Sequence, residues 1–177
     1  MSDAGILSQV VIRPLRETDG LKELTLLLNR AYKQLADLGF RYLATHQDSE
    51  TTKERIEKAK CLVAVIDKNG TDKIIGTICY YSPENASGCE WYDRNDVATY
   101  GQFGVEPEYQ KYGIGGMLID EIEKCAIQDG AKELAIDTAE GATHLINFYS
   151  KRGYRHVGYI KWGVTNYRSV LMSKKLK

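Results

Sequence analysis

The stretch from Tyr100 to Asp120, Tyr-Gly-Gln-Phe-Gly-Val-Glu-Pro-Glu-Tyr-Gln-Lys-Tyr-Gly-Ile-Gly-Gly-Met-Leu-Ile-Asp, decides how the chain reads. Tyr100, Gln102 and Gly104 alternate with Gly101, Phe103 and Val105, the period of a strand. Pro107 has no N–H to offer a ladder, so the strand stops near Val105. Gly113, Gly115 and Gly116 come next. Met117, Leu118 and Ile122 then recur at helical spacing among Asp120, Glu121, Glu123 and Lys124. Strand, glycine-rich turn and helix follow one another. Glycines let the backbone approach a ligand, and the free N–H groups of a helix N-terminus attract an anion. The segment predicts an anion cradle, with a plain structural turn as the alternative.

Two familiar phosphate loops do not fit. No Lys-Ser or Lys-Thr follows Gly116, as a nucleotide-binding P-loop requires, and Leu118 stands where the last glycine of a dinucleotide fingerprint belongs. At 177 residues the chain suits one domain, 1–177. Its 24 basic and 24 acidic residues cancel, which gives no electrostatic reason to expect nucleic acid or an anionic membrane as partner. Neither a long apolar run nor a basic leader is visible, so the expected address is the cytoplasm. Cys61, Cys79, Cys89 and Cys125 lack the pairing and His spacing of a zinc site, and no metal is expected. Twelve tyrosines against three phenylalanines suit a polar-lined pocket or a half-exposed sheet.

Along the chain, residues 10–15 form a strand ended by Pro14, and 16–19 offer a cap to a helix whose Leu21, Leu24, Leu27 and Leu28 share a face and which Gly39 terminates. A charged helix over 50–60 follows a polar loop. Residues 61–67 and 74–81 read as a hairpin around Asn69-Gly70. The loop 82–97 is long for a compact domain and is a candidate substrate lid. After the central helix, which ends near Asp129-Gly130, 132–138 is a strand, and a crossover helix makes it parallel to the one ending at Val105. A short helix over 142–151 and two alternating runs, 154–159 and 164–173, complete the order. The edge of this terminal hairpin could accept another chain, so a homodimer stands among the expectations.

Gln110-Lys111-Tyr112-Gly113-Ile114-Gly115 resembles the acetyl-CoA loop of the GCN5-related N-acetyltransferase family, Gln/Arg-x-x-Gly-x-Gly/Ala, and Val105-Glu106-Pro107-Glu108-Tyr109 resembles its lead-in. A second motif, Phe148-Tyr149-Ser150-Lys151-Arg152-Gly153-Tyr154, matches the family's Leu/Phe-Tyr-x-Lys/Arg-x-Gly-Phe/Tyr at every position. The element order agrees over essentially the whole chain. The resemblance implies an acyl-CoA N-acyltransferase-like α/β (α+β) fold: a single mixed, centrally splayed sheet of about seven strands flanked by about four helices. It implies acetyl-CoA as co-substrate, held by Phe103, Gly104, Val105, Gln110, Lys111, Tyr112, Gly113, Ile114, Gly115, Gly116, Phe148 and Lys151. The implied reaction transfers the acetyl group to a primary amine of a small molecule or peptide by direct attack on the thioester. Tyr149 falls on the family's usual general acid.

Two positions depart from the pattern. Ala142 stands where the family often has a pantetheine-binding asparagine, with Asn147 out of register, and no carboxylate stands near Thr99, where histone-directed members carry a basic glutamate. The base is open among Glu90, Asp93 and Asp96, or a water held by Gln102. His46, His144 and His156 are further candidates by residue type, but no spacing ties them to the cleft. The acidic loop favours a cationic acceptor. The competing readings are a CoA-binding module that regulates without turnover and an interaction domain whose glycine turn is only structural.

Overall fold

The computed structural model describes residues 3–177. Seven strands form one sheet: β1 (Val11–Pro14), β2 (Lys60–Lys68), β3 (Thr71–Tyr81), β4 (Val97–Val105), β5 (Glu133–Ala139), β6 (Arg155–Ile160) and β7 (Ser169–Lys175), in the order β1-β2-β3-β4-β5-β7-β6. The helices are α1 (Asp3–Leu7), α2 (Leu21–Asp37), α3 (Ser49–Ile56), α4 (Ile114–Gln128) and α5 (Thr143–Lys151). The mixed α+β fold and splayed sheet expected from the sequence are present. α1 was not foreseen.

Alternation along β2 sorts the two faces. Leu62 and Ala64 join the large core under α4, whose Ile114, Leu118, Ile119 and Ile122 are fully buried. Val63 and Val65 turn the other way, onto Leu24 of α2. Close approach on the α2 side rests on Gly104, because a Cβ there would lie 3.0 Å from the Ala31 Cβ. Any larger residue would push α2 off β4.

The parallel pair β4–β5 sits at the centre, and its ladder is short. Val97, Ala98 and Thr99 pair with Glu133, Leu134 and Ala135, and there the pairing ends. β5 continues on its other side with β7 from Glu133 to Ala139. β4 continues with β3, but between Thr77 and Cys79 the register slips: three steps of β4, Gly101 to Gly104, oppose two of β3. The extra residue is a β-bulge, and Gln102 within it has φ of 48°. A wedge opens between β4 and β5.

Several boundaries differ from the sequence reading. Residues 16–19 do not cap α2, whose N-cap is Gly20 without a side-chain bond. Asp19 instead accepts Arg13 and the Arg16 N–H. α3 stops at Ile56 rather than 60, since Lys60 already pairs with Tyr80. The last strand begins at Ser169 rather than 164, because the Thr165 and Tyr167 carbonyls accept the Lys161 ammonium instead of a neighbouring strand. No helix among the described residues is long and apolar enough to cross a membrane.

Leu118 is wholly buried and lies beneath Gly76. Leu118→Ala is expected to lower unfolding free energy by about 2–5 kcal/mol, seen in urea denaturation as a lower midpoint at unchanged slope.

Candidate active site

The wedge is a cavity of about 670 Å³, in the range of small-molecule sites. One wall is the β4 edge from Thr99 to Val105, the opposite wall is Ile136, Asp137 and Thr138 of β5, and α5 contributes His144, Leu145, Phe148 and Tyr149. Backbone groups on edges that have lost their ladder partners need others. On β5, the Ala139 N–H donates to the Tyr42 hydroxyl at 2.9 Å, and that hydroxyl also bonds Thr138 Oγ1 at 2.8 Å. On β4, the Gln110 amide donates to the Val105 carbonyl at 3.1 Å. Other groups of the β4 edge face the cavity.

At one end lies the start of α4. Pro107–Tyr112 makes a tight 3-10 turn, and Gly113 then takes φ of 76° as the N-cap of α4. That left-handed backbone suits glycine. No side chain caps the helix and its first turn carries no acidic residue. The first N–H groups of α4 are therefore open to an anionic ligand, with Gly113, Gly115 and Gly116 on the cavity wall. A diphosphate fits this cradle.

Tyr149 is buried against Tyr100, Phe148 and Tyr154, with ring centroids 5.3–6.5 Å away. Burial foremost, then the neighbouring phenols Tyr32 and Tyr154, push its pKa well above the ordinary tyrosine value. Burial likewise raises Tyr81 to about 12.

Of the sequence candidates, Gln102, Phe103, Gly104, Val105, Gln110, Gly113, Gly115, Gly116, Phe148 and Tyr149 come together on the cavity wall. Lys111 and Lys151 are exposed and, with Tyr112, lie off it, while the Ile114 side chain is buried in the core. Asp96 lies off the wall too, its carboxylate held bidentately by Arg94 at 2.9 and 3.0 Å. Glu90, Asp93, His46, His156 and Asn147 are exposed and away from the cavity. The Gln102 side chain, a candidate to hold a water, is engaged by its neighbours. Its Oε1 accepts Gln47 at 2.8 Å and its Nε2 donates to the Thr52 carbonyl at 3.3 Å.

The sequence reading missed the far end of the cavity. Arg55 of α3 donates to Gln47 Oε1 at 2.6 Å. Asp137 of β5 accepts Tyr92 Oη at 2.9 Å and Trp162 Nε1 at 2.8 Å. Tyr92 thereby ties the 82–97 loop onto β5, and Asn85, Ala86 and Ser87 of that loop join the wall. Arg55 looked like one charge of a solvated helix and Asp137 like a strand residue. Only the alternation of β5, with Asp137 between buried Ile136 and Thr138, hinted that a carboxylate pointed away from the core.

A splayed mixed sheet with an uncapped helix N-terminus at the splay defines an acyltransferase of the CoA-using kind. The chain matches the "Acetyltransferase (GNAT) family" over residues 29–154 and belongs to it. It is 30% identical over 164 residues to an S-(2-succino)cysteine N-acetyltransferase of Bacillus subtilis (strain 168), covering 92% of each chain. Its fold is shared with the ribosomal-protein-S18-alanine N-acetyltransferase of Escherichia coli (TM-score 0.68, 16% identity, 95% and 94% of the two chains). A GNAT family acetyltransferase from Elizabethkingia anophelis, with acetyl-CoA bound, is similarly close (TM-score 0.64, 18% identity, 96% and 99%). The chain is an acetyl-CoA-dependent N-acetyltransferase.

A Cβ at φ of 76° costs about 1–2 kcal/mol. Gly113→Ala should therefore lower the unfolding free energy by about that amount, seen in urea denaturation as a lower midpoint.

Proposed function

We propose that the protein transfers the acetyl group of acetyl-CoA to the primary amine of a small molecule, with Tyr149 as general acid. The observation that carries this reading is one continuous cavity that joins the open N-terminus of α4 to the Tyr149 phenol and to the polar far end. The N–H groups at Gly113, Gly115 and Gly116 hold the diphosphate, and Gln110 and Lys111 stand at its rim. Phe103, Gly104, Val105 and Phe148 line the path of the pantetheine arm. Acetyl-CoA supplies the activated acetyl thioester. The amine nitrogen forms its bond to the carbonyl carbon as the carbon–sulfur bond breaks, and the β4 main chain beside the bulge, past the end of its ladder with β5, is the wall nearest the oxygen on which charge develops. The amine proton leaves through cavity water. Tyr149 gives its proton to the departing sulfur, and its burial keeps it protonated until that moment.

A small acceptor is supported by the cavity's floor and walls: the 82–97 loop, pinned through Tyr92, and Trp162 from the loop before β7 narrow the far end. The Bacillus subtilis relative, by its name, acetylates a modified cysteine, an acceptor of that size.

Thiol release from acetyl-CoA with a panel of amines, S-(2-succino)cysteine among them, tests the reading. No release with any of them would leave only CoA binding. Tyr149→Phe should lower kcat by about 10²–10⁴-fold while the acetyl-CoA Kd changes less than about threefold. Unchanged kcat would remove Tyr149 from the acid role. Because its pKa is raised, Tyr149 stays protonated up to and beyond the ordinary tyrosine value of about 10. The pH profile of kcat should therefore rise with amine deprotonation and show no descending limb from Tyr149 below about pH 10.

A further inference from the structure

Besides the exposed Glu54 and Lys58, the cavity wall carries two half-buried charges, Arg55 and Asp137, and among the described residues neither forms an ion pair. Arg13, Arg30, Arg94, Arg152, Arg155 and Arg168 each pair with a carboxylate. Arg55 is half-buried on the cavity wall, and among the described residues it forms no such pair. One of its five donors is used, Nη1 to the neutral Gln47 amide. Its Nη2 lies toward the bulge, 3.9 Å from where a Cβ of Gly101 would stand. The guanidinium therefore offers its free edge to the space beside β4, where the acetyl carbonyl would lie.

Asp137 presents the opposite case. Both its bonds come from neutral donors, the Tyr92 hydroxyl and the Trp162 indole, and no Lys, Arg or His pairs with it among the described residues. Each carboxylate oxygen keeps a lone pair. The rings of Tyr92 and Trp162 stack at 6.5 Å beside it, a surface that also favours a cation. Both charges bear on the same phenols: burial raises Tyr32 and Tyr167, Asp137 adds to that rise and Arg55 opposes it. A half-buried charge without a counter-charge is partly desolvated, and a ligand that supplies the opposite sign gains by pairing with it.

We infer that the acceptor is an α-amino acid bound as a zwitterion, with Arg55 receiving its α-carboxylate and Asp137 its ammonium group, which gives one proton to cavity water before its nitrogen attacks the thioester. The inference rests on the acetyltransferase reading and names its substrate class. A diamine or polyamine would satisfy Asp137 but set a second cation against Arg55. A simple monoamine would leave Arg55 unpaired. Guanidinium and carboxylate form two parallel bonds, so Arg55 also orients the α-carbon and hence the amine. Gln47 holds the guanidinium in place, and since the same Gln47 bonds Gln102 in the bulge, carboxylate and thioester subsites share one support.

The test compares kcat/KM for L-alanine, L-aspartate and L-methionine with that for their α-carboxamides, and for tyramine and spermidine, by thiol release. The wild-type protein should prefer each amino acid over its carboxamide by about tenfold to a hundredfold. Arg55→Met should bring that ratio to about one with acetyl-CoA affinity preserved in calorimetry, and Arg55→Lys should retain part of it. Asp137→Asn should raise KM for amino acids and carboxamides alike. Equal use of acid and carboxamide by the wild-type protein, or preference for spermidine or tyramine, would overturn the zwitterion inference and leave acetyl transfer standing. So would a ratio unaltered by Arg55→Met, or lost acetyl-CoA binding in a folded Arg55→Met protein, which would assign Arg55 to the donor. Release with none of the amines would overturn both readings. Where Arg55→Met does not fold, the wild-type comparison decides alone.

Discussion

Everything at the site depends on how soon β4 and β5 part. Three residue pairs hold them together, and beyond Thr99 and Ala135 each strand keeps only its outer neighbour. Parallel strands at the centre of a sheet ordinarily satisfy their backbone groups on both sides. Here the inner edges must find other partners, and the chain meets that demand selectively. Tyr42 serves the Ala139 N–H and Gln110 serves the Val105 carbonyl. What is left unserved on β4 faces a cavity deep enough for a thioester arm, and the bulge at Gln102 turns that edge further toward it.

A bulge with a positive φ at a glutamine is strained and needs support. The support is a buried polar cluster: Gln102 to Gln47 and Thr52, Gln47 to Thr52 and Arg55, Thr52 to Thr25. Each neutral bond is worth about 1 kcal/mol net, but an orphaned member would cost about 1–3 kcal/mol, so the cluster is best read as a specifier of geometry. It fastens α3 and the turn before it to β4. Tyr81 adds to this by donating to the Arg55 carbonyl at 2.7 Å. The end of α3 is thus placed by contacts to the sheet rather than by its own weak apolar face.

Legibility in the sequence followed locality. The strand, the Gly113 turn and α4 were readable because proline, glycine and apolar spacing act over a few residues, and the Phe148–Tyr154 motif added the matching helix. The crossover alone implied parallel pairing. What stayed hidden depends on contacts across long separations. Asp19 looked like a cap until Arg13 claimed it, and the loop acids Glu90, Asp93 and Asp96 were candidate bases, while the loop folds so that the Tyr92 side chain, rather than any of their carboxylates, reaches Asp137 of β5. Gln102 was a candidate for its side-chain chemistry and does line the cavity, but the 55-residue separation from Gln47 concealed the bond that engages it.

Net charge shows the same limit in another form. Twenty-four cations balance twenty-four anions over the chain, and from that sum neither nucleic acid nor an anionic membrane is expected as partner. The sum conceals where the balance fails. Surface charges find one another, as Lys33 does Asp37 and Lys124 does Glu121, and such exposed pairs add little. On the cavity wall, Arg55 bonds a neutral amide, and Asp137 accepts from a phenol and an indole. Bringing the two together would require one of them to leave its own support, Gln47 for Arg55 or Tyr92 and Trp162 for Asp137. The scaffold therefore leaves each of the two charges with neutral partners only, and a molecule carrying both signs is the complement of that arrangement.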